Sequence, residues 1–230
     1  MLSVEAAQVV LDDFSLSADF TITKGARVAV LGPSGAGKST LLAAIAGFQD
    51  LATGRILWNG EPLPDDPAKR PISMVFQDNN LFPHLSVAQN VGLGLRPDLK
   101  LTSQDRERVE TALSRVGLMG MGARKPAQLS GGQIARVALA RVLLRNKPIL
   151  LLDEPFSALG PALKAEMLDL VRELVTETDA TLLMVSHDPQ DARALADQVV
   201  LVAEGWAHAP QPTAELFDSP PDALRDYLGG

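Results

Sequence analysis

Cysteine is absent from the chain. That excludes a disulfide framework, thiolate catalysis and cysteine-ligated metal centres, and a reducing compartment fits the composition. Histidine is scarce as well: His84, His187 and His208 are too few and too scattered for a histidine-rich metal site. Basic residues are in deficit, 21 Lys and Arg against 28 Asp and Glu, and the formal net charge of -7 has the wrong sign for a protein whose main partner is a phosphate backbone. Nucleic acid is therefore not the expected partner. Long apolar runs are also missing. Ile149 to Leu152, Thr181 to Val185 and Val199 to Ala203 are short, far from the roughly 18 consecutive apolar residues of a spanning helix. The first residues, Met-Leu-Ser-Val-Glu, carry an acid at position 5 and no basic run ahead of an apolar stretch, unlike a secretion signal. The expectation is a chain that does not cross a membrane by itself.

What is present is enough apolar material for a core. In 230 residues, 46% are hydrophobic, which suits one or two globular domains and excludes a disordered tail. Strand and helix signals alternate, as in an α/β sheet covered by helices. Arg27 to Leu31 reads as a strand, followed by a glycine-rich turn and an apolar helix over Lys38 to Ala46. Buried strands are predicted at Ile72 to Phe76, Ile149 to Leu152, Thr181 to Val185 and Val199 to Val202, with helices near 162–177 and 189–196 between the later ones. From about Ser86 to Leu144 the pattern is helical, with Gln104 to Val116 and Gln133 to Leu144 the longest pieces, so a helical insertion interrupts the sheet. Alternation in Phe14 to Ile22, together with Gly54 to Gly60, suggests a small antiparallel layer near the start. Glu61 to Pro71 and Ala209 to Pro221, both proline-bearing, read as surface loop and tail.

Three motifs carry chemistry. Gly32-Pro33-Ser34-Gly35-Ala36-Gly37-Lys38-Ser39, leading into Thr40, fits G-x-x-x-x-G-K-[ST] between a strand and a helix. Its glycines let backbone N–H groups turn inward around phosphate oxygens, and the following helix offers its positive end to the same anion. Lys38 is placed to reach the β and γ phosphates and Ser39 to ligate Mg²⁺. The second motif is Asp153-Glu154 at the end of the apolar strand Ile149 to Leu152. Ligands of open parallel sheets bind outside the carboxyl ends of strands. Asp153 is thus a candidate for Mg²⁺ and its water, and Glu154 for the general base that polarises the attacking water. Alone, such a pair is as often a solvated turn or a helix cap. The third motif, Leu129-Ser130-Gly131-Gly132-Gln133, opens a helix, with Ser130 as N-cap and two glycines leaving backbone donors exposed. Two phosphate-binding helix ends with one phosphate-loop lysine suggest that the second end serves a nucleotide held by another copy of the chain.

The phosphate loop, Gln77 after a strand, Leu129 to Gln133, Leu150-Leu-Leu-Asp-Glu-Pro155 and Ser186-His187-Asp188 stand in the order and spacing of the ATP-binding subunits of ABC transporters. The chain resembles that family over essentially its whole length. Within the family, Pro71 to Leu95 together with Thr181 to His187 is similar to the ATPase subunits of bacterial thiamine importers; iron, sulfate, spermidine and maltose importers have similar ATPases, so the solute rests on that resemblance alone. The resemblance implies a RecA-like P-loop core with an N-terminal antiparallel β layer and an inserted helical subdomain. The core would span about residues 1–80 and 147–230 and the insertion about 81–146.

The resemblance also implies roles. ATP would lie between the phosphate loop, Gly32 to Thr40, of one copy and Ser130, Gly131, Gly132 and Gln133 of another, in a head-to-tail homodimer. Gln77 would join metal and water to the helical insertion. His187, held by Asp188 as N-cap and Pro189 as first helical residue, would sense the γ phosphate and steady Glu154. Mg²⁺ would be held by Ser39, Gln77 and Asp153. Membrane permease subunits, contacted through a groove lined by Asn79 to Leu95 with Leu81, Phe82 and His84 as candidates, and an external solute-binding protein complete the implied machine at the cytoplasmic face. Three departures stand out. No tyrosine or tryptophan stands near the first strands to stack on adenine as the family usually does: the one tyrosine is Tyr227, Trp58 and Trp206 lie elsewhere, and Leu11 or Phe14 must serve. The family's Ser-Ala-Leu-Asp reads Ser157-Ala-Leu-Gly160 here, which keeps an N-cap before Pro161 but loses a carboxylate. Ile134 stands where relatives often carry a polar or basic residue.

Rival classes fit less well. Asn146-Lys147-Pro148-Ile149 resembles a guanine-reading motif, yet it lacks the aspartate and precedes the acidic strand. A chromosome-binding ABC ATPase needs a long coiled coil between Gln77 and Ser130, and no sustained heptads occur there. Translation-associated relatives carry two cassettes in one chain, and 230 residues hold one.

Overall fold

The computed structural model describes residues 1–228, the side chains of Asp226 and Leu228 excepted. Chain contacts divide it into two compact units. The first comprises Met1–Ile72, Pro148–Asp153 and the chain from Asp179 onward; the second comprises Ser73–Lys147 and Glu154–Thr178.

In the first unit the chain opens with β1 (Leu2–Leu11) and β2 (Phe14–Ile22), a hairpin whose buried positions alternate along β2. Next come β3 (Arg27–Leu31), helix α1 (Lys38–Ala46), β4 (Thr53–Trp58) and the two-residue β5 (Glu61–Pro62). Strand β6 (Ile72–Val75) begins at the unit's boundary, and Pro71 just before it accepts a hydrogen bond from the Ile149 amide at 3.2 Å. The later strands are β7 (Ile149–Asp153), β8 (Thr181–Val185), β9 (Gln198–Ala203), β10 (Trp206–Ala207) and β11 (Gln211–Pro212). The sheet runs β5-β4-β1-β2-β10-β9-β3-β8-β7. Its β5 to β2 side is antiparallel, and β9, β3, β8 and β7 are parallel.

The parallel strands are continuous apolar runs because helices shield both faces of such a sheet. Val28 to Leu31, Ile149, Leu151 and Leu152 have no solvent exposure. Each such side chain contributes about 1.5–3 kcal/mol. Helix α1 packs on β7 and β8 and ends at Gly47, whose left-handed backbone (φ 86°) closes the last turn. Arg70 completes that end by donating to the carbonyls of Ala44 (2.9 Å) and Ile45 (2.7 Å).

The predicted surface tail is partly structured. Ala209 to Pro221 contains β11, paired with β9, and helix α7 (Thr213–Asp218), which buries Leu216 and Phe217 in a cluster with Leu31, Val199 and Leu201. The tail reading took proline content as punctuation, whereas Leu216, Phe217 and Leu224 form an apolar face that the sheet covers. Glu61 to Pro71, predicted as loop, likewise carries β5 and a 3-10 turn over Pro67–Lys69.

The second unit is helical: α2 (Val87–Gly92), α3 (Ser103–Arg115), α4 (Gly131–Arg145) and α5 (Pro161–Thr178). Helices α2, α3 and α4 pack mutually and α5 packs on α4. Three of them begin with reciprocal capping boxes, Ser86 with Gln89, Thr102 with Asp105 and Ser130 with Gln133. At α3 the Thr102 amide, then Arg96 and the Thr102 hydroxyl, hold the Asp105 carboxyl down to about 2. Asn146, the residue of the guanine-motif near miss, is the left-handed C-cap of α4 (φ 46°). That is a common use of asparagine in a strained turn.

Candidate nucleotide site

Parallel pairing fixes what shares one edge of the first unit. Val30 is opposite Val185, and Val185 is opposite Asp153. The carboxyl ends of β3, β8 and β7 therefore lie side by side and deliver the phosphate loop, His187 and Asp153 to the same edge, where open parallel sheets bind ligands.

The loop itself requires glycine at its two ends. Gly32 has φ 150°, and a Cβ there would lie 2.0 Å from the Val202 carbonyl oxygen. Gly37, the N-cap of α1, is left-handed (φ 103°), and a Cβ on it would meet the Phe14 ring at 2.6 Å. Between them Pro33, Ser34 and Gly35 form an exposed crest, with Ala36 and Thr40 half-buried. No side chain caps the first turn of α1, so its amides face the hollow of the loop with the helix dipole behind them. Lys38 is 8% exposed and curls into the loop, its ammonium donating to the carbonyls of Gly32 and Pro33 at 2.8 Å each. A phosphate can replace these neutral carbonyl acceptors with anionic ones. The Ser39 hydroxyl donates to Asp153 Oδ1 at 2.9 Å. A hydroxyl and a carboxylate so paired are the hard oxygen donors that suit Mg²⁺, which binds few protein ligands beside substrate phosphates.

His187 is exposed directly after β8. The chain around it is pinned: Ser186 Oγ donates to Asp191 Oδ2 at 2.6 Å and accepts from the Asp188 amide at 3.0 Å, and Asp188 caps α6 (Pro189–Leu195) through the Gln190 amide. The Tyr227 hydroxyl, on helix α8 (Asp222–Leu228), donates to the His187 carbonyl at 2.5 Å. Sequence reading missed that contact. The two residues are 40 apart, and only the apolar spacing of Leu224 and Tyr227 signals that the terminal helix docks. Of the two adenine-stacking candidates, Phe14 lies against Gly37 of the phosphate loop, while Leu11 is 38% exposed at the hairpin end.

The second unit holds the remaining candidates. Gln77 is exposed, two residues past β6. Glu154 has a left-handed backbone (φ 45°), and its carbonyl accepts from the Ser157 amide (3.3 Å) and hydroxyl (3.1 Å). A glutamate held in that region is strained, and such strain persists where the surrounding turn over-determines it. At α4 the Ser130 hydroxyl accepts from the Gln133 amide (3.3 Å) and Gln133 Oε1 accepts from the Ser130 amide (3.0 Å). Gly131 and Gly132 are the first two helical residues, where amides have no intrahelical acceptor. Gly160 accepts the first α5 bond, from the Lys164 amide at 2.9 Å, as an N-cap does. Among the described residues, no group of three or more His, Asp or Glu side chains forms a metal cluster, and no helix is long and apolar enough to cross a membrane.

Comparison with known proteins places this geometry. The ABC transporter family matches residues 16–157. The chain is 60% identical, over all 230 residues and the full length of each relative, to the thiamine import ATP-binding proteins ThiQ of Ruegeria sp. (strain TM1040) and Cereibacter sphaeroides. It is 48% identical to the ThiQ of Photobacterium profundum over 95% of this chain and 91% of that one. Among solved structures, a dimeric post-hydrolysis state of the ATP-binding cassette MJ0796 bound to ADP and Pi superposes with a TM-score of 0.81 at 30% identity, covering 93% of this chain and 99% of that one. The cbiO1 protein of Clostridium perfringens, part of the ABC transporter complex cbiONQ, gives 0.82 at 32% identity over 95% and 90%. The chain belongs to the ABC transporter family as one of its ATP-binding, ATP-hydrolysing cassettes.

Proposed function

We propose that the chain is the ATPase subunit of a membrane importer for thiamine or its phosphate esters. The observation that carries the ATPase part is the convergence of Lys38, the Ser39–Asp153 pair and His187 on one sheet edge. The solute assignment rests on full-length likeness to proteins named for thiamine import. Gly32 to Thr40 hold the triphosphate, with Lys38 releasing its two loop carbonyls for the β and γ phosphates. Ser39, Asp153 and Gln77 would hold Mg²⁺, which would neutralise phosphate charge. Glu154 takes a proton from the attacking water as the bond between the γ phosphorus and the β–γ bridging oxygen breaks, and His187 holds the γ phosphoryl group. Ser130, Gly131, Gly132 and Gln133 close on the γ phosphate from a second copy, so two chains in head-to-tail arrangement make two sites. Residues 81–146 form the helical subdomain through which permease subunits are driven at the cytoplasmic face, with a solute-binding protein delivering thiamine from outside.

The test is ATP hydrolysis by the chain reconstituted in liposomes with its permease and binding protein. The expected result is a rate that rises when thiamine is added. A rise with a different solute and none with thiamine would overturn the solute assignment, and no dependence on any solute would overturn the importer reading.

A further inference from the structure

The stretch after Gln77 is held in an unusual way. Asn79 and Asn80 are two left-handed residues in succession (φ 58° and 44°), where asparagine is commonly found singly. Local bonds make the turn, the Asn79 amide donating to the Phe76 carbonyl (2.8 Å) and the Asn80 amide to Asp78 Oδ1 (3.0 Å), and Arg141 ties it to another element. Its guanidinium donates from one terminal nitrogen to the Asn80 carbonyl at 2.8 Å and from the other to the Asn79 carbonyl at 3.0 Å. Arg141 sits on α4, ten residues beyond Gly131, about three helical turns from the signature end. The far side of the stretch is fastened separately. Asn90, with no solvent exposure, accepts from the Phe82 amide (2.8 Å) and donates to the carbonyls of Phe82 (3.1 Å), Leu85 (3.3 Å) and Ser86 (3.0 Å), and Lys125 donates to the His84 carbonyl (2.5 Å). Within this second fastening the Phe82 ring is left exposed (43%) and packs edge-on against the ring of exposed His84.

Stability alone does not account for an arginine here. Arg141 is half-buried, its hydrogen bonds go to neutral carbonyls, and burial and the nearby Arg145 disfavour its charge more than Asp78 favours it; such a cation is a poor stabiliser beside an apolar residue of similar volume. What a guanidinium supplies is a planar fork that fixes two acceptors at once, which a lysine ammonium does not. We propose that Arg141 is a positioning residue that makes the signature helix and the Gln77-to-Leu85 loop a single lever, so that nucleotide-driven movement of α4 is delivered to the Phe82–His84 crest. The delivery of that movement to a permease rests on the importer reading above; the lever itself does not.

The experiment compares native protein, Arg141→Met and Arg141→Lys by hydrogen–deuterium exchange with and without ATP, in a Glu154→Gln background, and by ATPase assay of the reconstituted complex. In the native loop, exchange over residues 77–85 changes with ATP along with that of residues 129–134. In Arg141→Met the signature end still responds while the loop's response is lost. Solute stimulation of hydrolysis falls about 2- to 30-fold while the basal rate of the isolated chain changes less. Arg141→Lys restores little of either, having no fork. An unchanged loop response in Arg141→Met would overturn the lever. So would faster exchange spread evenly over residues 73–147 with equal losses of basal and stimulated rates, the signature of a merely structural residue. Absence of solute stimulation in the native complex would count against the importer reading alone, because the exchange comparison judges the lever independently.

Discussion

Helices α1 and α4 both begin at glycine-bearing N-termini suited to phosphate, yet their first turns are closed differently. At α1 the N-cap is Gly37, left-handed and without a side-chain cap, and the loop before it wraps back so that even Lys38 bonds loop carbonyls. At α4 the N-cap is Ser130, which closes a reciprocal box with Gln133 and leaves the amides of Gly131 and Gly132 as the donors at the helix end. The first is a nest shaped by backbone, with no side-chain cap at its helix end. The second is already finished as a helix start and offers only a surface. On the proposed reading, in which ATP is held by one copy and met by a second, the two ends have different tasks.

Glycine substitutions break the comparison most sharply. A Cβ on Gly131 would make only ordinary contact, 3.7 Å from Leu159. Gly131→Ala should therefore melt with the native protein but hydrolyse ATP about 100-fold more slowly, because the methyl group intrudes on close approach from the second copy. Gly37→Ala meets the Phe14 ring at 2.6 Å in a left-handed backbone and should lose about 1–3 kcal/mol of stability as well as activity. Thermal melts beside ATPase rates check both. Full activity in Gly131→Ala would show that the helix end does not meet phosphate.

Caps give a smaller contrast. Ser130→Ala removes the box at α4 and should cost about 1 kcal/mol, read as a fall of roughly 2–4 °C in Tm. Ser34→Ala, on the exposed crest of the phosphate loop, should stay within about 0.5 kcal/mol of native. Equal effects would mean that the two ends are closed alike.

The smallest structural effect is expected at Gly160, where a Cβ would enter open space. Gly160→Asp restores an acidic N-cap and should change stability by only a few tenths of a kcal/mol. Cooperativity of hydrolysis in ATP should rise on the proposed dimeric reading, since the substitution puts back the carboxylate that the family resemblance implies for this position. Unchanged cooperativity and rate would remove any role for that group.

The parts of the molecule legible in sequence are those specified locally. Arg27–Leu31, Lys38–Ala46 and Thr181–Val185 take their predicted bounds because an unbroken apolar strand, a glycine turn and a small apolar helix each announce themselves within a few residues. Ser130 and Asp188 were readable as caps for the same reason. Strand β1 was not, because its alternation slips at Ala6, a left-handed residue (φ 43°) at a register shift against β2 and β4. Helix α7 escaped notice because its apolar face is completed by Ala29 and Leu31 of β3, far away in sequence, as well as by β9. The site divides similarly. Motifs named Lys38, Ser39, Asp153, Glu154 and His187, while the Tyr227 hydroxyl on His187 and the Arg141 fork on Asn79 and Asn80 join segments 40 or more residues apart.

The central claim is that ATP is enclosed between the backbone nest of one copy and the capped helix of another, with Glu154 as base. Its most direct measurement is light scattering of Glu154→Gln with ATP, alongside single-turnover hydrolysis. The account predicts a long-lived ATP-dependent dimer with hydrolysis nearly abolished; a chain that stays monomeric with ATP bound, or turns over at the native rate, would contradict it.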